Sequence, residues 1–124
     1  MKKLLTLLAL TISFSMNAQM SDNSSGTSAT GTNAVAMGEN STASGGYSTA
    51  MGRNTTASGS YSTAMGWGPT ASGYGSTAMG GGTTASNYYS TAMGAGTTAS
   101  GSRSTAMGDN TTASGHSSLS LIHI

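Results

Sequence analysis

A seven-residue repeat runs through most of the chain and restricts the folds that are open to it. Five Ser-Thr-Ala-Met-Gly blocks recur every 14 residues, beginning at Ser48, Ser62, Ser76, Ser90 and Ser104. Blocks of the form Thr-Thr-Ala-Ser-Gly lie between them on the same spacing, so the unit [S/T]-T-A-[M/S]-G-x-x is used twice in each 14 residues. A fixed period of this kind is typical of solenoids, in which each repeat packs on its neighbours.

The residue types in the unit narrow the choice of solenoid. Ser, Thr, Gly and Ala supply 79 of the 124 residues, which leaves too few large side chains for an ordinary core. The repeat has no pair of large apolar positions for a coiled-coil seam, and its glycines are seven residues apart, not three as in collagen. A Thr-rich strand of about four residues, closed by a glycine turn, fits the unit. Two strands and two turns make one 14-residue coil, which predicts an all-β, parallel β-solenoid.

The turn positions predict where the backbone adopts positive φ. Of the thirteen heptad glycine positions from Gly31 to Gly115, Asn87 is the one exception. Asn is the residue other than Gly that best tolerates the left-handed region, so positive φ is expected throughout this set. A second turn column carries Asn or Gly in every coil and leads to the same expectation: Asn40, Asn54, Gly68, Gly82, Gly96 and Asn110. Pro69 falls on the first residue of a predicted strand, where its missing N–H is tolerated.

Strand alternation predicts which side chains share a face. The residues on either side of each Ala point the same way, which pairs Val35 with Met37 and Thr49 with Met51. We expect this face to point inward, so that the core is a column of methionines lined by threonine methyl groups. A methionine strip that binds a metal or an aromatic partner is the weaker alternative.

Both ends of the chain differ from the repeats. Residues 1–18 read as a secretory signal peptide, with Lys2 and Lys3 before an apolar run and cleavage after Ala18. The further divisions are a leader at 19–27, repeats at 28–115 and a non-repeat tail at 116–124. Within the tail, residues 119–124 read like a translated sequencing adaptor, which predicts a truncated chain. The alternative is a short apolar last strand that caps the fold.

Composition and spacing argue against several function classes. The chain has no Cys, so no thiolate site is expected. Its formal charge of +1 includes Lys2 and Lys3 of the predicted signal peptide, so no basic surface for nucleic acid is expected either. Acidic residues are far apart in the repeat, and none is placed to orient His116. A calcium-binding roll would need a repeated Asp. We therefore predict no enzyme activity, no cofactor and no metal.

The variable positions between strands are the candidate binding sites. One column carries Tyr47, Tyr61, Gly75, Tyr89 and Arg103, and beside it lie Tyr74 and Tyr88. Tyr and Arg dominate protein–protein contacts, so this aromatic ladder is the predicted partner-binding surface. The alternative is that the rings only stack coil on coil. Glu39, Arg53 and Trp67 form a shorter column at the opposite edge, which we interpret as ordinary surface variation.

These repeats resemble the head repeats of YadA-like trimeric autotransporter adhesins. The segment Asn33-Ala34-Val35-Ala36-Met37-Gly38 is similar to the N-S-V-A-I-G signature of that family, with Met in place of Ile. Later coils depart further, with Thr at the Val position. The resemblance covers roughly residues 28–115 and implies a left-handed parallel β-roll, three chains side by side and display on a Gram-negative outer surface.

The resemblance also implies a function and its alternatives. Heads of this kind attach to host matrix proteins or surface glycans, or promote cell–cell aggregation. The family normally adds a neck, a stalk and a C-terminal membrane anchor, so membrane anchoring is expected only through a missing C-terminal region. Two alternatives stay open: a ligand-free spacer or fibre segment of an exported or phage-like protein, and a solenoid whose Thr rows bind ice.

Overall fold

The computed structural model describes residues 20–21 and 25–121. All elements within these ranges are β-strands, so they include no helix that could span a membrane. Eight strands form the first sheet: β1 (Met20–Ser21), β3 (Val35–Glu39), β5 (Thr49–Arg53), β7 (Thr63–Trp67), β9 (Thr77–Gly81), β11 (Thr91–Ala95), β13 (Thr105–Asp109) and β15 (Leu119–Leu121). Seven form the second: β2 (Ser28–Ala29), β4 (Thr42–Ala43), β6 (Thr56–Ala57), β8 (Thr70–Ala71), β10 (Thr84–Ala85), β12 (Thr98–Ala99) and β14 (Thr112–Ala113).

The strands alternate between the two sheets and stack in register. All pairings are parallel, and within the repeats each residue pairs with the residue 14 positions away, as Met51 does with Met65 and Thr56 with Thr70. Each 14-residue coil therefore contributes one strand to each sheet. The predicted parallel β-solenoid is confirmed.

The two halves of the repeat differ in length of strand, which the seven-residue unit did not predict. Strands of the first sheet within the repeats have five residues, and those of the second have two. After Met, glycines such as Gly52 have φ of 128° and continue the strand. After Thr-Ala-Ser, the chain instead turns at Gly59, whose N–H bonds to the Ala71 carbonyl at 3.2 Å. The same seven-residue unit thus gives a long strand and a short one.

The prediction of a methionine core is wrong. The hydrophobic core of the described residues consists of alanines, and Ala50, Ala64 and Ala78 have no exposed surface. Because the side chains on either side of each Ala point away from it, Thr and Met lie on the outer face, where Met37 and Met65 are 38% and 37% exposed. The coil encloses room for the Ala methyl group and for small hydroxyl residues, and a column of methionines would overfill it.

Small hydroxyl side chains complete the interior. Ser48, Thr55 and Ser62 are fully buried beside the alanines. At the end of the rod, Ser104 Oγ donates to the Gly101 carbonyl at 2.6 Å. Ser48, Ser62 and Ser76 occupy the same position in earlier coils, and their hydroxyls have no partner in the side-chain rotamer shown. Each has a carbonyl three residues upstream, the acceptor that Ser90 and Ser104 use in their own coils.

The prediction of positive φ is confirmed for the second turn column, whereas the heptad glycines divide into two groups. The Asn/Gly column has φ between 52° and 69° in every coil. Glycines that follow Met also have positive φ, from 104° to 128°. Glycines that follow Ser do not, and they are required for a different reason: a Cβ at Gly45 would overlap the carbonyl oxygen of Gly59 in the next coil.

Asn87 therefore does not occupy the left-handed region, and the explanation offered for it is wrong. At the equivalent Gly73, the N–H bonds to the Ala85 carbonyl of the next coil at 3.3 Å. The Asn87 N–H instead donates to Ser90 Oγ at 3.2 Å. Its side-chain amide donates to the Ser100 carbonyl at 2.9 Å, so the side chain replaces the lost bond between coils.

The two ends of the chain differ in what the structure describes. The predicted signal peptide, residues 1–18, lies outside the described residues. Leu119–Leu121 forms strand β15, which pairs in register with Thr105 through Met107 of β13. Parallel pairing uses backbone groups that any sequence supplies. The presence of this strand therefore does not test whether residues 119–124 are a translated sequencing adaptor, and that statement stays a prediction.

The two roles of glycine give a paired test. Gly66→Ala should lower the free energy of unfolding by more than about 1 kcal/mol, because φ is 127° and the Cβ would overlap the Gly80 carbonyl oxygen. Gly81→Ala has open space at its Cβ and should be neutral or stabilising by about 0.4–1 kcal/mol. Denaturant unfolding of both variants measures the difference. Equal effects would contradict the described turn geometry.

Candidate binding surface

The tyrosines are held by the turn that follows each short strand. Tyr47, Tyr61 and Tyr89 occupy the same position of their coils, as predicted, with Gly75 in the coil between the last two. The turns hydrogen-bond to one another along the rod. The Tyr61 N–H donates to the Gly46 carbonyl at 2.8 Å, and the Tyr89 N–H donates to the Tyr74 carbonyl at 2.8 Å. Each turn is therefore fixed on the one before it.

These tyrosines have positive φ, which the sequence analysis missed. Tyr47, Tyr61 and Tyr89 have φ of 57°, 59° and 50°, and Arg103 has 56°. For an L-residue this conformation costs about 1–2 kcal/mol, and Tyr has no short polar side chain to offset it. The signal was present in the same column, because Gly75 interrupts the tyrosines and has φ of 62°. A bulky residue at a glycine position indicates that its side chain has a role that offsets the cost of the strained backbone.

All five tyrosines of the chain form one connected cluster, which we call the tyrosine cluster. Tyr47 stacks on Tyr61 with ring centroids 5.1 Å apart, and Tyr74 stacks on Tyr88 at 4.9 Å. Tyr74 links these pairs, because it meets the edges of Tyr61 at 5.3 Å and Tyr89 at 5.7 Å. The two predicted columns are therefore one surface, with Tyr74 at its centre.

Arg103 lies in the same column one coil beyond Tyr89, as predicted from the register. Its side chain is exposed, and its Nη1 is 3.4 Å from Nε2 of His116. The structure gives it no ring contact within the described residues. Arg103 thus extends the column with a positive charge rather than extending the stack of rings.

Asn87 positions one member of the tyrosine cluster. Its side-chain oxygen accepts a hydrogen bond from the Tyr88 N–H at 2.8 Å. The same side chain bonds to the Ser100 carbonyl of the next coil. The single departure from glycine in the heptad series is therefore located where the second row of tyrosines needs a fixed backbone.

The tyrosine cluster presents ring edges and hydroxyl groups to solvent. Exposed fractions run from 37% for Tyr74 to 54% for Tyr61. Within the described residues, no tyrosine hydroxyl has a hydrogen-bond partner, so all five can bond to water or to a ligand. Partial desolvation by the neighbouring rings, followed by repulsion from Tyr89, Tyr61 and Tyr88, raises the pKa of Tyr74 above its ordinary value of 10.0. Tyr74, at the centre of the cluster, therefore stays uncharged at physiological pH.

The opposite edge carries the column of Glu39, Arg53 and Trp67. Glu39 and Arg53 pair in register and form an ion pair of 3.3 Å between Oε2 and Nε. Both side chains are more than half exposed, so the pair contributes about 0.2–1 kcal/mol. Trp67 is 62% exposed in the next coil.

The outer side of the first sheet is a second candidate surface, which was missed because its side chains were assigned to the interior. We call it the methionine face. It consists of two columns: Val35, Thr49, Thr63, Thr77, Thr91, Thr105 and Leu119, and Met37, Met51, Met65, Met79, Met93, Met107 and Leu121. The columns contain no charged residue, and all their members are partly exposed to solvent.

Side chains that could ligate a metal are scattered along the described part of the chain. Residues 25–121 contain no group of three or more His, Cys, Asp or Glu side chains that could hold a metal ion. What this part of the chain offers a partner is two extended surfaces, the tyrosine cluster and the methionine face.

Comparison with known proteins identifies the repeat. The profile of the YadA head domain repeat, which spans two copies, matches residues 29–55, 43–68, 71–97 and 99–121. The matches together cover most of the chain and follow the coils of the solenoid. A search of curated proteins returns no match.

The raised pKa of Tyr74 predicts a loss of stability at alkaline pH. Because the folded state holds the Tyr74 proton more tightly than the unfolded state does, stability should fall as pH rises above about 10 and through the folded pKa. Tyr74→Phe should reduce that slope. Unfolding temperatures across this pH range test this effect. An unchanged slope in the variant would contradict the assignment to Tyr74.

Proposed function

The chain belongs to the YadA head-repeat family, and on that premise we propose that it is the head module of a surface-exposed trimeric adhesin. Head repeats of this family are adhesin-type structural modules, not enzymes. The observation that carries the proposal is the profile match from residue 29 to residue 121, which accounts for nearly all of the described solenoid. In this proposal the protein is exported and displayed at the surface of a Gram-negative bacterium, where it attaches to matrix proteins, surface glycans or other cells.

The methionine face supports association into a homotrimer. A row of partly exposed methionines with threonines and no charge is unusual for a surface that stays in water, and such patches mark interfaces. The interior of one coil buries little more than alanine, so a single solenoid gains little from its own core. Contact between copies along this face would bury the methionines that the interior is too narrow to hold.

The trimer can be tested with charges placed on either sheet. Met65→Glu with Met79→Glu should dissociate the assembly, because two carboxylates would be buried in an apolar contact. The matched control is Ser72→Glu with Ser86→Glu, which puts the same charges on exposed positions after the short strands. Light scattering of the purified chain gives the mass. A monomeric parent chain, or equal dissociation in both variants, would overturn this part of the proposal.

The tyrosine cluster is the proposed attachment surface. Three of its five residues adopt positive φ, a backbone conformation that is costly for tyrosine. Stacking of neighbouring coils does not require tyrosine there, since Gly75 occupies the same position and adopts positive φ without steric strain. Exposed Tyr is among the residues that carry most binding energy in protein interfaces, and its ring and hydroxyl also suit sugars. Arg103 extends the column and adds a charge-bearing contact.

Replacing the strained tyrosines tests the attachment surface. Tyr47, Tyr61 and Tyr89 changed together to Ser should fold normally, because Ser117 already occupies this position with φ of 54°. Binding to immobilised matrix proteins and glycan arrays should fall at least about tenfold, the loss expected for interface anchors. Thr70, Thr84 and Thr98 changed to Ser on the short sheet form the control. Equal binding by the two variants would leave the ligand-free spacer as the better function.

A further inference from the structure

We propose that the tyrosine cluster is a site of oxidative phenol coupling, in which Tyr74 joins to Tyr61 or Tyr89 and covalently links adjacent coils. The proposal concerns a modification of the solenoid itself and does not depend on adhesion. It rests on the ring geometry of the cluster, on its exposure and on the absence of cysteine from the sequence.

The reaction needs a one-electron oxidant, which a haem peroxidase with hydrogen peroxide supplies. The oxidant removes one electron and one proton from each of two phenols. The two radicals then join through ring carbons ortho to the oxygens, and the two ortho hydrogens return to the oxygens by tautomerisation. Two phenols and one hydrogen peroxide give one dityrosine and two waters.

Ring orientation selects which tyrosines couple. The two rings of a dityrosine are twisted about their shared bond, because coplanar rings would clash at the positions beside it. Tyr74 crosses Tyr61 at 61° and Tyr89 at 84°, with centroids 5.3 and 5.7 Å apart. A third crossed pair, Tyr88 with Tyr89 at 75° and 5.3 Å, joins neighbouring residues of one turn and would not link coils. The rings of these crossed pairs are already inclined to each other, as the two rings of a dityrosine are. The stacked pairs, such as Tyr47 with Tyr61 at 3°, must splay before an ortho carbon can reach its partner.

Access and competition also favour the cluster. Each ring is at least 37% exposed, and the described structure gives none of the hydroxyls a partner that would shield it. Cysteine, the side chain that most readily consumes oxidants, is absent from the chain. Since all five tyrosines lie in the cluster, any dityrosine formed within one chain comes from it.

The product would act as a covalent clamp between coils. Tyr61 and Tyr74 lie 13 positions apart in the sequence, and Tyr74 and Tyr89 lie 15 apart. A bond between either pair closes a loop of about one coil and restricts the unfolded chain, as a disulfide does. Oxidised protein should therefore unfold at a higher temperature than untreated protein.

The methionine repeat lets the test locate the bond to a pair of coils, and tandem mass spectrometry then distinguishes Tyr88 from Tyr89, which share one fragment. Cyanogen bromide cleaves after Met, so the coils are separated into fragments 38–51, 52–65, 66–79 and 80–93 by cleavage after Met37, Met51, Met65, Met79 and Met93. The purified chain is treated with peroxidase and peroxide, the band of single-chain mass is taken from a denaturing gel, and methionine sulfoxide is reduced with a thiol before cleavage. Mass spectrometry then identifies joined fragments, each pair lighter by two hydrogens.

The expected result is that fragment 66–79 is joined to 52–65 or 80–93. Tyr74→Phe should lose most of the coil-joining product and the gain in unfolding temperature. Tyr47→Phe removes the hydroxyl of a ring that has one stacked neighbour and no crossed one, so it should retain both. The proposal is overturned if no joined fragments form in the single-chain band, if 38–51 joined to 52–65 predominates, or if dityrosine is found only in species of two or more chains.

Discussion

Everything in this molecule depends on each coil lying in register on the next. A parallel ladder fixes the separation of neighbouring strands at about 4.8 Å, so every position of one coil meets its own counterpart. Residues that tolerate a neighbour of their own kind at that distance are therefore selected in columns. Alanine does so inside the coil, and tyrosine does so at the corner, where Tyr47 and Tyr61 stack at 5.1 Å. Glycine does so where backbone approaches backbone, as Gly45 approaches Gly59.

The repeat was sufficient to predict the fold, and the columns followed from it. The 14-residue spacing, the parallel strands and positive φ at Asn40 and Asn54 were all predicted, because each depends on period and on backbone preference. The grouping of the tyrosines was predicted for the same reason. Residues 14 positions apart must lie side by side in a solenoid of this period, whatever the details of the turns.

The direction of each strand face could not be predicted from period alone. Alternation places Ala50 on one face of the strand and Thr49 and Met51 on the other, but it does not indicate which face points into the coil. The usual preference for burying the larger side chain favours Met, but the width of the coil decides against it. That width is set by the closeness of the two turns, which the sequence shows only through its glycines. The positive φ of Tyr61 was missed similarly, because Tyr is a poor indicator of that conformation and only Gly75 marked the column.

The 14-residue period also limits how such a rod can change in length. Duplication or loss of one whole coil adds or removes one rung and leaves each face aligned, since Thr63 pairs with Thr49 in the same register in which Thr49 pairs with Val35. A change of seven residues would instead move the long strand onto the short sheet and place Met opposite Ser. Unequal exchange between near-identical gene segments therefore has a safe step size. In a rod built this way, the number of aromatic rungs can vary between generations while the cross-section of the protein stays the same.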